Sequence, residues 1–178
     1  MSVETLLSVE EYLNTSYSPD MEYRDGVLVE RNVGDKAHAR LQILLGAYFL
    51  ARQEQWNVYV YGELRVKVRE RWYPIPDVCL YPDSDFNESY PSVPPLLWVE
   101  ILSPGDRMVD VWKKAGELVE LGVPYVWIIE PTTLESELRS ANGIERVADK
   151  TLRIPNTSIV VPLAEVMRPM QAPTSTSP

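Results

Sequence analysis

At 178 residues the chain is about one domain long, with room to bury a core without a disulfide or metal staple. Its 45% hydrophobic and 24% charged residues exclude a disordered or membrane-embedded class. A net charge of −9 opposes simple, tight binding of duplex nucleic acid unless the 17 Lys and Arg gather on one face, yet it permits metal-assisted chemistry on phosphates, because bound divalent cations reverse the local sign.

The N-terminal stretch MSVETLLSVEEYLN has no basic n-region, and no later segment approaches the roughly 18 consecutive apolar residues that a transmembrane helix needs, so the expected location is the cytoplasm with no membrane partner. Ser8 and Glu11 have the spacing of a capping box and predict a short helix. MEYRDGVLVERN alternates around Asp25-Gly26, a pair that tolerates the positive φ of a type I′ turn, which predicts a hairpin over 21–32. Ala37, Leu41, Leu44, Leu45 and Tyr48 recur at helical spacing and predict an amphipathic helix over 37–54. WNVYVYGELRVKVR then alternates with period two, as a long strand or one broken at Gly62.

YPIPDVCLYP and LLWVEILSP are short apolar runs bounded by prolines, the pattern of central strands covered on both faces, with the polar loop DSDFNESYPSVPP between them. The lone Cys79 reads as a small buried hydrophobe, and a single cysteine fits a reducing compartment. Over 108–121, Val111, Trp112, Ala115, Leu118 and Val119 share a helical face that Gly122 ends. VPYVWIIEP predicts another buried strand, LESELRS, IERVA and TLRIP weaker ones, and MQAPTSTSP a tail without structure. The expected fold is α/β (α+β): a central mixed sheet flanked by helices, in a single domain.

Two carboxylates interrupt the apolar runs. Asp77 follows Pro76 at the head of one predicted strand, and Glu100 stands between four apolar residues and two in the next. A buried charge is costly unless it is paired. If the strands are neighbours, the carboxylates converge, and their repulsion is relieved by a divalent cation held with waters and phosphate oxygens. Asp106, Asp110 and Lys114 follow at i, i+4, i+8, one stripe of the next helix, from which Lys114 can orient a water or offset transition-state charge.

Each residue also has a plain structural reading. Asp77 can cap a turn, Glu100 can pair across the sheet, Lys114 can pair with Asp110 on a solvated face, and His38 can be satisfied locally at its helix start. Trp98, Trp112, Trp127, Tyr48 and Tyr125 lie in apolar patterns and read as core, leaving Tyr73, Tyr81 and Tyr90 as the better candidates to touch a ligand. Arg65, Lys67, Arg69 and Arg71 alternate, as a phosphate-contacting face or a charge-protected edge strand.

YPIPDVCLY and WVEILSPGDRMVDVWKKAGELVELGVPYVWIIEP, together with MEYRDGVLVERN and HARLQILLGAYFL upstream, resemble the Uma-two family of restriction-endonuclease-like proteins, a branch of the PD-(D/E)XK nuclease superfamily, over residues 5 to 165. The resemblance implies a restriction-endonuclease-like domain over 1–167 with a flexible tail over 168–178. It also implies a metal-dependent endonuclease that hydrolyses phosphodiester bonds of DNA with Mg2+ or Mn2+. Asp77 and Glu100 correspond to the metal ligands, and the Ile101 carbonyl to the group that completes the metal shell. The usual lysine two positions after the acid is replaced by Leu102, and Lys114 takes its role, with Lys113 as a substitute. His38 and Glu30 match family positions, and with Asp110 they are accessory candidates. Nucleases that cut both strands commonly act as symmetric dimers, so a homodimer is expected. The rival readings are a catalytically silent nuclease fold that binds nucleic acid or protein, and a hydrolase of a small phosphorylated substrate.

Overall fold

The computed structural model describes residues 6–82 and 87–168. Helix α1 (Val9–Leu13) starts at the Ser8–Glu11 capping box, with both reciprocal bonds formed. Strands β1 (Met21–Arg24) and β2 (Val27–Glu30) form the expected hairpin, turning at Asp25 (φ 54°) and Gly26 (φ 96°). Helices α2 (Lys36–Leu50) and α3 (Gln53–Trp56) follow, then β3 (Tyr59–Gly62), β4 (Trp72–Tyr73), β5 (Val78–Tyr81) and β6 (Leu97–Ile101). Helix α4 (Met108–Glu120) leads to β7 (Tyr125–Ile129), β8 (Ser136–Ser140), β9 (Gly143–Arg146), β10 (Thr151–Arg153), β11 (Val160–Pro162) and α5 (Leu163–Val166).

Six strands form the central mixed sheet in the order β3-β5-β6-β7-β8-β9. Strands β6 and β7 are parallel, and α4 makes the crossover that such a pair requires. Side chains alternate between two helical covers. Leu80, Leu97, Val99, Trp127 and Ile129 meet Leu41, Leu45 and Phe49 of α2. On the other face Trp98, Val126 and Ile128 meet Ala115 and Leu118 of α4. Because both faces are covered, these strands read as unbroken apolar runs. A second sheet, β2-β1-β4, stands beside α4, where Arg24 pairs with Glu117 at 2.8 Å and Trp72 joins the α4 cluster. Among the described residues no helix is long and apolar enough to cross a membrane.

Several expectations are corrected. The helix predicted to 54 ends at Leu50, and a separate turn, α3, follows. Of the two forms expected for the alternating segment, it takes the one broken at Gly62: Glu63 adopts φ 51°, the chain leaves the central sheet, and Arg69 forms an isolated bridge with Trp72. Of its four basic residues, Arg65 pairs with Asp20, Lys67 with Glu70 and Arg69 with Asp25, while Arg71 is exposed. Tyr73 and Tyr81 are buried, and Tyr90 lies edge-on to Tyr73 at 6.4 Å, so this group is packing rather than a ligand surface. Trp112 is 40% exposed and donates to Glu137 Oε2 at 2.7 Å. The tail predicted over 168–178 lies outside the described residues from 169 onward, as do residues 83–86 of the polar loop.

Candidate active site

Antiparallel pairing of β5 with β6 sets Val78 opposite Val99 and brings Asp77 to the end of β6. Asp77 is 2% exposed. The Ile101 backbone N–H donates to its Oδ2 at 2.7 Å, Arg31 Nη2 donates to its Oδ1 at 2.8 Å, and His38 Nε2 lies 3.4 Å from Oδ2. Gln42 Nε2 donates to the Asp77 carbonyl at 3.2 Å. His38 is held by the start of α2, where Asp35 accepts from the backbone N–H groups of Ala37 and His38. Burial disfavours its imidazolium, but the hydrogen bond and charge of Asp77 outweigh that and raise its pKa above the usual histidine value.

Glu100 projects from β6 toward α4. Its Oε1 accepts from Trp98 Nε1 at 2.7 Å and sits 2.7 Å from Lys114 Nζ. Lys114 Nζ also donates to Glu22 Oε1 at 2.7 Å, and that oxygen accepts from the Ile75 backbone N–H at 3.1 Å. Lys114 therefore bridges two carboxylates from different sheets. Burial opposes its charge, yet Glu100 and Glu22 together raise its pKa, so it is an ammonium at neutral pH. Burial raises the Glu100 carboxyl, and the charges of Asp77 and Glu22 add to that, with Lys114 opposing.

Glu22, Asp77, Glu100, Ile101, Arg31 and Lys114 line one cavity of about 650 Å³. Glu22 and Arg31 were absent from the sequence candidates. His38, Glu30 and Asp110 line the same cavity, Glu30 and Asp110 being exposed. Asp110 pairs with Arg107 at 3.7 Å rather than with Lys114. Asp106 lies before α4 and accepts from Ser103 N–H and Asn32 Nδ2, each at 2.6 Å, so the expected three-residue helical stripe is not formed. Lys113 is exposed and outside the lining.

Among the described residues no group of three or more His, Cys, Asp or Glu is gathered tightly enough to cage a metal. The donor chemistry nevertheless fits a magnesium-type ion, which takes one or two carboxylates and fills its remaining positions with waters and phosphate oxygens. Asp77, Glu100 and the Ile101 carbonyl could supply such hard oxygen ligands.

A family profile described as "Putative restriction endonuclease", Uma2, matches residues 9–164. Among solved structures, the chain is similar to "a putative nuclease belonging to DUF820" from Anabaena variabilis ATCC 29413. That likeness has a TM-score of 0.71 at 19% identity and covers 84% of this chain and 89% of the other, which shows a shared fold. No curated protein sequence matches the chain. With all but its ends covered by the profile, the chain belongs to the Uma2 family.

Proposed function

We propose that this cavity hydrolyses phosphodiester bonds of DNA, with Mg2+ or Mn2+ held by Asp77 and Glu100. The observation that carries this reading is the Lys114 ammonium lodged between Glu22 and Glu100 in the cavity that Asp77 also lines. Burying three carboxylates and a lysine together is costly, and well-packed apolar residues of similar size would serve stability as well. Charge concentrated in a cavity fits chemistry on a charged substrate. The family description, "Putative restriction endonuclease", agrees with that class of reaction.

When bound, a divalent cation lowers the pKa of a water and polarises the phosphate. The protein's own groups position these partners. The Ile101 N–H orients the Asp77 carboxylate, for which Arg31 is the counter-ion. Glu22 fixes Lys114 from one side, leaving its ammonium directed at the Glu100 edge of the cavity. Paired with Glu22 and Glu100, the Lys114 ammonium acts as a donor that orients the attacking water and offsets charge on the phosphate. A homodimer would present one such site to each strand of a duplex.

The test is cleavage of plasmid DNA with Mg2+ or Mn2+ by the wild type, Asp77→Asn and Glu100→Gln, with folding checked by circular dichroism. Each variant is expected to lose about a hundredfold or more in rate. Full activity in either folded variant would remove its carboxylate from the site. A second reading, hydrolysis of a small phosphodiester, is favoured by the pairing of Arg24, Arg65 and Arg69 with carboxylates, which leaves those cations unavailable to a long duplex. Turnover of a chromogenic phosphodiester without plasmid cleavage would select it.

A further inference from the structure

Arg31 lies just beyond β2, outside any regular element, and its guanidinium reaches Asp77 Oδ1 at 2.8 Å. Its side chain is 21% exposed, and a second carboxylate, Glu63, lies 3.5 Å away with 59% of its side chain exposed. The other groups on Asp77 are fixed. Ile101 donates from the backbone of β6, and His38 is buried on α2. Of the three, only the Arg31 contact comes from a flexible side chain that already has an exposed partner to move toward. Carboxylates outnumber cations along the cavity wall, and around Lys114 and Arg31 stand Glu22, Asp77 and Glu100.

We propose that Arg31 is an exchangeable counter-ion, which gives up Asp77 to an incoming divalent cation and then binds a phosphate oxygen of the nucleic acid in the same cavity. The proposal rests on the reading of Asp77 as a metal-binding carboxylate. A guanidinium and a metal ion compete for the carboxylate's charge and lone pairs, so metal entry weakens the Arg31–Asp77 bond. The released guanidinium stays inside the cavity, and its planar fork of N–H donors matches two phosphate oxygens in a way that an ammonium cannot. Arg31 thus offsets the cavity's negative charge before metal entry and carries substrate affinity after it. The neighbouring residue helps keep it there: Asn32 donates to Asp106 at 2.6 Å, tying this segment to the loop before α4.

The experiment measures Mn2+ affinity by calorimetry, and affinity for a short duplex by fluorescence anisotropy in Ca2+, for the wild type, Arg31→Gln, Arg31→Lys and Asp77→Asn. Circular dichroism checks the fold of each, and Arg31→Lys, which keeps the charge, gives a second reading if Arg31→Gln does not fold. Arg31→Gln is expected to bind Mn2+ about tenfold more tightly and DNA about tenfold more weakly. Arg31→Lys is expected to keep Mn2+ affinity near wild type and still bind DNA more weakly, because the fork is lost. Mn2+ affinity unchanged or reduced in folded Arg31→Gln, while Asp77→Asn abolishes binding, would overturn the exchange and leave the metal site standing. Unchanged DNA affinity in both Arg31 variants would overturn the phosphate role. Mn2+ binding by neither the wild type nor Arg31→Gln, with or without DNA, would overturn the metal reading and this inference together.

Discussion

Lys114 holds the charge balance of the cavity. It is the shared partner of Glu22 and Glu100, each at 2.7 Å, and both carboxylates are largely withdrawn from water. Lys114→Met would leave them facing one another without a counter-ion, a change expected to cost about 3–5 kcal/mol at pH 8. Stripped of the ammonium that opposes its rise, the Glu100 carboxyl would have a folded-state pKa further above its unfolded one, so the folded variant would bind more protons than the unfolded chain above the ordinary carboxyl value. Its stability therefore rises as pH falls, and the gap to wild type should be narrower at pH 5.5 than at pH 8 in chemical denaturation. A gap below about 1 kcal/mol at pH 8 would mean that water reaches the carboxylates freely. Asp77, Glu100 and Lys114 were legible in sequence, the carboxylates because apolar neighbours flank them and the lysine through its place in a family pattern. Glu22 and Arg31 were not, because each lies in or beside an alternating hairpin where a charge looks solvated. Their partners are far along the chain: Lys114 is 92 residues from Glu22, and Asp77 is 46 from Arg31.

Elements with local signals were legible. The capping box before α1, the Asp25-Gly26 turn, and the strand-helix-strand unit β6-α4-β7 all form where short-range pattern places them. The alternating segment after α3 was ambiguous because period two continues past Gly62, whereas the chain turns away at Glu63 for reasons of tertiary packing that alternation does not record. The turn between β7 and β8 offers a test at this scale. Glu130 accepts from the backbone N–H of Thr132 at 3.1 Å and from that of Thr133. Burial is the largest single influence and raises its carboxyl, but these hydrogen bonds together outweigh it and hold the pKa below the ordinary 4.5. A depressed folded pKa gives stability that is present above the unfolded value and lost as pH falls through the folded one. Glu130→Gln should therefore cost about 1 kcal/mol at pH 7, a modest figure for a partly exposed group, with the difference from wild type closing below pH 4.5. A gap that persists at pH 3 in thermal melts would assign the effect to the amide's geometry instead of the charge.

At the scale of the whole molecule, a net charge of −9 must be reconciled with a polyanionic substrate. Arg24, Arg52, Arg65, Arg69, Arg146 and Arg153 each lie within 4 Å of a carboxylate, so much of the positive charge is already neutralised. The long-range field thus repels DNA, and the cavity, whose carboxylates outnumber its cations, repels it locally as well. Divalent cations reverse the local term, since an ion at Asp77 and Glu100 adds two positive charges where a phosphate would sit. Duplex affinity should accordingly be negligible in EDTA and rise at least about tenfold in Ca2+, with a shallow dependence on monovalent salt. Few phosphates meet a protein cation here, so log K against log salt should fall with a slope of about −3 or less in magnitude, against about −10 for a protein that binds through a broad basic surface. Tight binding in EDTA with a steep slope would place the nucleic acid on a basic face away from the cavity. Binding that appears only with the divalent ion, and disappears in Asp77→Asn, would tie substrate capture to the same carboxylates that are proposed to drive its hydrolysis.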